Sequence, residues 1–274
     1  MQIREYSLQE GWYPRDREEV SRFLSRFDRN GPFSRAAVSP HAGWFYSGRI
    51  AALAVSCLEP EAETVAVLGG HLPAGSPRLF AMEDAVRTPF GPMPIDTELR
   101  SVLQKDLDGI EDRFRDNTVE ILLPMVHFFF PRAKLLWLRL PSETSSLDAG
   151  KTIAQTAAKL NRKINVLAST DLTHYGRNYG FSPQGAGMAA LRWMRDVNDA
   201  NFIRAVTAGQ IDEVLRCAER ERSACSAGAV LGAMGFAEEA GLGEARLLEY
   251  ATSADALDGE TPDSFVGYAA FSFG

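Results

Sequence analysis

The spacing of hydrophobic residues changes repeatedly along this chain, and the changes mark out strands and helices in alternation. Arg35 to Ser39, Thr64 to Leu68, Lys134 to Leu140 and Ile164 to Ala168 are short apolar runs with the length expected of strands buried on both faces. Arg78 to Met82 reads as a further short strand. Between these runs the period lengthens. Ser47 to Leu58 is small and apolar, as in a buried helix. Asp96 to Leu107 sets Leu99, Val102, Leu103 and Leu107 on one side at helical spacing, and Ser146 to Leu160 carries an alanine-rich helical face. Val119 to Phe130 is apolar throughout and fits either period. Further along, Gln184 to Ala208 is helical with a break near Asn198, Ile211 to Arg220 is a short helix, and Ala227 to Ala240 is a helix of small residues. Ala245 to Thr252 and Ser264 to Phe273 read as closing strands. This alternation predicts an α/β fold around a largely buried sheet. No stretch has a linker's composition and no repeat is present, so one domain over residues 1–274 is expected.

Composition narrows the functional classes. At 45% hydrophobic and 24% charged, the 274 residues have a soluble globular balance. The net charge of −7, with no basic run, argues against binding nucleic acid through its phosphates. Three cysteines, Cys57, Cys217 and Cys225, are too few and too scattered for a disulfide framework, and their odd number fits a reducing compartment. Met1-Gln-Ile-Arg-Glu-Tyr lacks the layout of a signal peptide. The most apolar stretch, Ile121 to Pro131, is about half of the ~20 residues that a membrane helix needs. A cytoplasmic protein without membrane contact is the expectation.

The histidines carry the candidate chemistry. Of the four, His41, His71 and His174 each follow a predicted strand, and Asp171 lies three residues before His174. Ligand sites of open α/β sheets form outside the carboxyl ends of the strands, so these groups are placed to share one crevice. Glycines at 43, 48, 69 and 70 would let backbone approach a ligand there, although the spacing matches no phosphate-binding loop. Cys225 stands just before a predicted helix and near Arg222, a setting that favours thiolate. Cys57 and Cys217 fall within apolar or amphipathic helices and read as packing residues. Two imidazoles and a thiolate suit a catalytic metal with an open position. The same residues also fit a Cys–His catalytic pair. His127, between Val126 and Phe128, reads as a hydrogen-bonded core or edge histidine.

Several motifs resemble those of the Memo-like family, protein B of the AmmeMemoRadiSam system. Pro40-His41-Ala42-Gly43-Trp44-Phe45-Tyr46-Ser47-Gly48 is similar to that family's PHAGYxYSG, and Gly11-Trp12-Tyr13-Pro14 to its AGxWYP. Arg87-Thr88-Pro89-Phe90-Gly91 with Asp96 resembles TPLGxxxxD, Ser169 to Gly176 resembles SSDxSHYG, and Cys225 with Gly228 resembles its CG-containing helix start. The resemblance implies a three-layer α/β/α sandwich around a mixed, mostly buried sheet, similar to the class III extradiol dioxygenases. It also implies metal ligation by His41, His71 and Cys225, with Asp171 and His174 as the acid/base pair. Two motifs depart from the family pattern. GPSHH becomes Gly69-Gly70-His71-Leu72, and EHSIE becomes Asp116-Asn117-Thr118-Val119-Glu120, so Asn117 replaces a histidine while Glu120 stays in register. Asparagine cannot carry a proton near neutral pH. Glu120, Asn117, Tyr46, Trp12 and Tyr175 are expected around the pocket.

Three functions remain open at this point. One is a non-haem metal enzyme, an oxidoreductase of dioxygenase type, with iron favoured over zinc or copper. A second is a non-catalytic module binding metal or peptide. A third is a zinc- or cysteine-dependent hydrolase. By family resemblance a radical-SAM or AMMECR-like protein is an expected partner, besides a small molecule or peptide.

Overall fold

The structure is a computed structural model that describes residues 1–29, 31–257 and 262–274. Among these, twelve strands run in chain order: β1 (Ile3–Arg4), β2 (Ala36–Ser39), β3 (Thr64–Leu72), β4 (Leu79–Phe80), β5 (Ala85–Thr88), β6 (Gly91–Pro94), β7 (Ile110–Glu111), β8 (Lys134–Pro141), β9 (Ile164–Ser169), β10 (His174–Gly176), β11 (Ala245–Thr252) and β12 (Ser264–Phe273). Nine of them form one sheet in the order β10-β12-β2-β9-β3-β8-β4-β7, with β11 paired to β12. Its centre is parallel: β2 lies beside β9, β9 beside β3 and β3 beside β8. The flanking pairs β12–β2 and β4–β8 are antiparallel, which makes the sheet mixed. β1, β5 and β6 form a small separate sheet that the hydrophobic pattern did not announce.

Strand periodicity divides the core into two layers. Ala36, Val38, Ala66, Leu68, Leu136 and Leu138 point to one face, where they pack with the helices Ala227–Glu239 and Ser145–Lys159. Ala37, Val65, Val67, Leu135 and Trp137 point to the other, against Trp44–Ser56 and Leu123–Phe129. Helices on both faces of the sheet give the expected three-layer α/β/α sandwich, and they explain why the central strands read as continuous apolar runs.

Most expected elements fall within a few residues of their place, and the exceptions are local. The ambiguous Val119 to Phe130 stretch resolves into two short helices, Asn117–Glu120 and Leu123–Phe129. Arg78 to Met82 contracts to the two residues of β4. The helix Arg17–Leu24 was not expected; Asp16 caps it by accepting from the Glu19 N–H, and Val20 and Leu24 are its buried residues. No helix of the described residues is long and apolar enough to cross a membrane.

Candidate metal centre

The parallel centre of the sheet ends in the site. β2 and β9 are in register through Ser39 and Ser169, so the residues that follow both strands emerge side by side. His41, two residues past β2, is almost fully buried, and its Nδ1 pairs with Ser169 Oγ at 2.6 Å. The Asp171 carboxylate accepts the His41 backbone N–H at 2.7 Å.

His71 arrives by a different device. The register of β3 against β8 slips between Gly69 and Leu72. His71 takes a φ of +58°, in the left-handed region that non-glycine residues seldom adopt. Strain of this kind persists where surrounding contacts over-determine it. Here the His71 N–H donates to Ser226 Oγ at 3.3 Å, and Nδ1 meets Asp116 Oδ2 at 3.0 Å. Gly70 allows the approach, since a Cβ there would lie 2.3 Å from that of Ser226.

The third arm is the segment entering the helix Ala227–Glu239. The Cys225 N–H donates to the Asp171 carbonyl at 3.2 Å, and the Asp171 N–H donates back to Cys225 Sγ at 3.3 Å. This exchange sets the sulfur 3.2 Å from His41 Nε2. The ligating atoms of His41, His71 and Cys225 all lie within 4.8 Å of one another. The two rings stand edge to face with centroids 4.9 Å apart.

A buried charge chain backs His71. Asp116 meets Arg139 at 3.1 Å, Arg139 meets Asp112 at 3.4 Å, and Trp137 Nε1 donates to Asp112 at 2.9 Å. Arg139 and Asp112 are both buried, a placement that charged groups tolerate when paired.

The titrating groups respond to this setting. Burial, reinforced by the charge on His71, pushes His41 well below its ordinary value. Burial also pulls on His71, but hydrogen bonds to Asp116 and Cys225 outweigh it and hold the ring at about 10. Asp116 is half-buried, which pulls its carboxyl up, yet its bond to His71 and the nearby Arg139 keep it below the usual carboxylate range. Burial raises Asp171 to about 7, against the opposing bond from the His41 N–H. Burial first, and then the His71 charge, lowers His174 to about 4.

His41 and His71 open onto a cavity of about 420 Å³ whose wall also includes Trp12, Tyr46, Asn117, Asp171, His174, Tyr179 and Tyr268, with the Cys225 sulfur beside them at His41 Nε2. His174 Nδ1 lies 3.2 Å from the Leu172 carbonyl, and the ring packs edge-on against Tyr179. Asp171 and His174, the pair implied by the resemblance, have different partners: Asp171 turns to His41, and a backbone carbonyl holds His174. Asn117 donates to the His41 carbonyl at 2.8 Å, so its amide braces the loop that bears His41.

Two expected pocket residues lie elsewhere. Tyr175 follows His174 in β10 and so faces the opposite side, stacked on Phe265 at 4.9 Å with its hydroxyl donating to the Gly185 carbonyl. Glu120 lies outside the cavity wall and ties down the segment that precedes Trp12. It accepts from the Ser7 and Leu8 N–H groups and from the Ser7 and Tyr13 hydroxyls. Outside the site, His127 is bonded to Thr88 Oγ1 at 2.6 Å. Burial pushes the Cys57 thiol up to about 11 and the Cys217 thiol up to about 12, in line with packing roles. Asp116, Arg139 and Ser169 were missed from the sequence. An arginine inside the apolar run KLLWLRL was the one available signal, because a charge in a buried strand requires a partner.

The family model described as Memo-like protein matches residues 4–272. A MEMO1 family protein of Thermococcus kodakarensis is 30% identical over 96% of each chain. One from Methanosarcina barkeri is 31% identical over 85% of this chain and 84% of its own. One from Pyrobaculum arsenaticum is 25% identical over 100% of this chain and 99% of its own.

Proposed function

The chain belongs to the Memo-like protein family, and on that premise we propose that it is a metal-dependent oxidoreductase of the dioxygenase type, with iron held by His41, His71 and Cys225. The observation that carries this reading is the convergence of two imidazoles and one thiol, the imidazoles lining a cavity that His174 also lines. The donor set fits a divalent metal. Ser169 and Asp116 engage the Nδ1 atoms, which leaves the other ring nitrogens for an ion, and such outer partners fix tautomer and ring orientation. The carboxylate–imidazole–sulfur arrangement already holds a positive charge at His71, where an ion would supply one instead. Bound iron would contribute one-electron redox chemistry toward dioxygen or an oxidisable substrate.

The chain's own residues would do the rest. His174 is neutral at physiological pH and stands at the cavity wall, positioned to take a proton from a substrate hydroxyl and return it. Trp12, Tyr46, Tyr179 and Tyr268 offer flat aromatic surface to a planar substrate. No lysine or arginine lines the cavity among the described residues, so positive charge there would come from His71 or the ion that replaces it. Asn117 holds the His41 loop and cannot relay a proton. That substitution favours a second reading, a non-catalytic module that retains the metal.

The test is metal analysis of protein purified without chelator, followed by oxygen uptake with phenolic probes. Bound iron, a thiolate-to-iron absorption band and oxygen consumption support the proposal. Iron without oxygen consumption favours the non-catalytic module. Zinc, or copper, in place of iron overturns the assignment of the ion, and zinc with ester hydrolysis favours a hydrolase. Metal-free protein that is indifferent to chelator overturns the metal centre itself.

A further inference from the structure

A second buried polar cluster lies behind the site, on the helical stretch that the sequence marks as broken near Asn198. Met188–Trp193 and Ala200–Thr207 are α-helical, and between them Met194–Asp199 forms a π-helical turn. Such turns insert an extra residue into a helix and often accompany functional sites. Here the turn reverses the usual distribution of side chains. Val197 is 43% exposed, whereas Asn198 and Asp199 are at most 2% exposed.

The two buried residues converge on Thr173, which sits between Asp171 and His174. The Asp199 carboxylate accepts the Thr173 N–H at 3.1 Å and the Thr173 hydroxyl, and its second oxygen accepts from Tyr250 at 2.7 Å. Asn198 Nδ2 donates to Thr173 Oγ1 at 2.8 Å and to the Glu221 carbonyl at 2.9 Å. Glu221 begins the segment that leads to Cys225. One amide thus ties the strap bearing His174 to the segment bearing the sulfur. The neighbouring strand makes room for the carboxylate: a Cβ on Gly267 would lie 2.0 Å from Asp199 Oδ2. Gly267 also exchanges backbone hydrogen bonds with Leu172 and Thr173.

We infer that Asn198 and Asp199 are positioning residues that clamp the His174 strap and the Cys225 segment in one fixed arrangement. They touch neither the donor atoms nor the cavity and act through Thr173 and Glu221. The inference rests on the metal-centre reading for its metal readout alone.

The test uses the full chain with Asn198→Ala, Asp199→Ala and Asp199→Asn, and with Val197→Ala as a control on the exposed side. Cobalt(II) is the metal probe. The two clamp alanine variants should bind it about tenfold more weakly, the scale of losing a group that orients a ligand, while keeping the thiolate-to-cobalt band. In the metal-free protein Cys225 should alkylate severalfold faster, and the NMR midpoint of His174 should rise from about 4 toward its ordinary value as water gains access. Asp199→Asn should recover most of these losses, because an amide oxygen still accepts from Thr173. Val197→Ala should change none of them. If the alanine variants do not fold, Thr173→Val removes the shared hydroxyl with little change of shape, and the same shifts are expected. Variants that melt earlier but keep wild-type Cys225 alkylation and His174 titration overturn the clamp. Wild-type protein that binds no cobalt overturns the metal reading, and the alkylation and titration results still decide the clamp.

Discussion

Cys225 Sγ lies 3.2 Å from His41 Nε2, although 184 residues separate the two in sequence. Asp171 brings them together, since its carboxylate holds the His41 backbone while its own peptide exchanges hydrogen bonds with Cys225. The two atoms meet only because other elements crowd them into the same few ångströms.

That relationship fixes the first prediction. Cys225→Ser should lower metal affinity by more than the roughly 10–100-fold that loss of an outer partner costs. Cys217→Ser should leave metal content unchanged, because Cys217 is buried in the core away from the site. Elemental analysis of both purified variants measures the difference, and equal metal content would refute the choice of cysteine.

The carboxylate behind His71 gives the second. Asp116→Asn removes the charge that steadies the ring and should weaken metal binding about 10–100-fold with the fold intact. Arg139→Leu should act on stability above all. It removes the nearer guanidinium from Asp112, leaving Trp137 and the more distant Arg4, takes the partner of Asp116 as well, and should cost about 3–5 kcal/mol. Metal titration and urea denaturation separate the two effects.

His174→Ala should retain bound metal and lose turnover. The ring lies on the cavity wall, and it is absent from the cluster of ligating atoms. Loss of metal in this variant would make His174 a ligand and overturn its assigned role.

Among the groups that make the stability of the metal-free protein depend on pH, Asp199 and His174 act with opposite sign. Burial holds Asp199 at about 7, above its ordinary 3.8, so the folded state keeps a proton that the unfolded chain releases. Its contribution is complete below 3.8 and is lost as pH rises through about 7. His174 is depressed from 6.5 to about 4. Its contribution is complete above 6.5 and is lost as pH falls through about 4. Thermal melts from pH 4 to 8 should show Asp199→Asn flattening the upper limb and His174→Gln the lower one. Unchanged slopes in both variants would count against these shifts.

Gly70→Ala tests the packing that delivers His71. The added methyl would meet Ser226, the residue next to Cys225. Overpacking of this kind costs about 1–3 kcal/mol, and here it should also displace the sulfur. The variant should therefore lose both melting temperature and cobalt affinity. A stability loss with unchanged affinity would show that the Cys225 segment relaxes independently.

The sequence by itself determined the layered α/β architecture and the donor types. Continuous apolar runs such as Thr64 to Leu68 can be buried only between two layers, and alternation with helical spacing supplies those layers. The placement of His41 after β2 and of His174 after β9 was also legible, because strand ends in such sheets face one edge, whereas His71 lies within β3, which runs on to Leu72. Tertiary structure decided what each side chain meets. The register slip that turns His71 outward, the Asp116–Arg139–Asp112 chain behind it and the grip of Asp199 on Thr173 all join residues from separate elements. Asp171 and His174, three positions apart, do not pair, whereas Asp171 and His41, 130 positions apart, do. Local spacing constrains the backbone period and hence the elements. The partner of a buried polar group is set by which distant groups share its low-dielectric surroundings, and packing of the whole chain settles that.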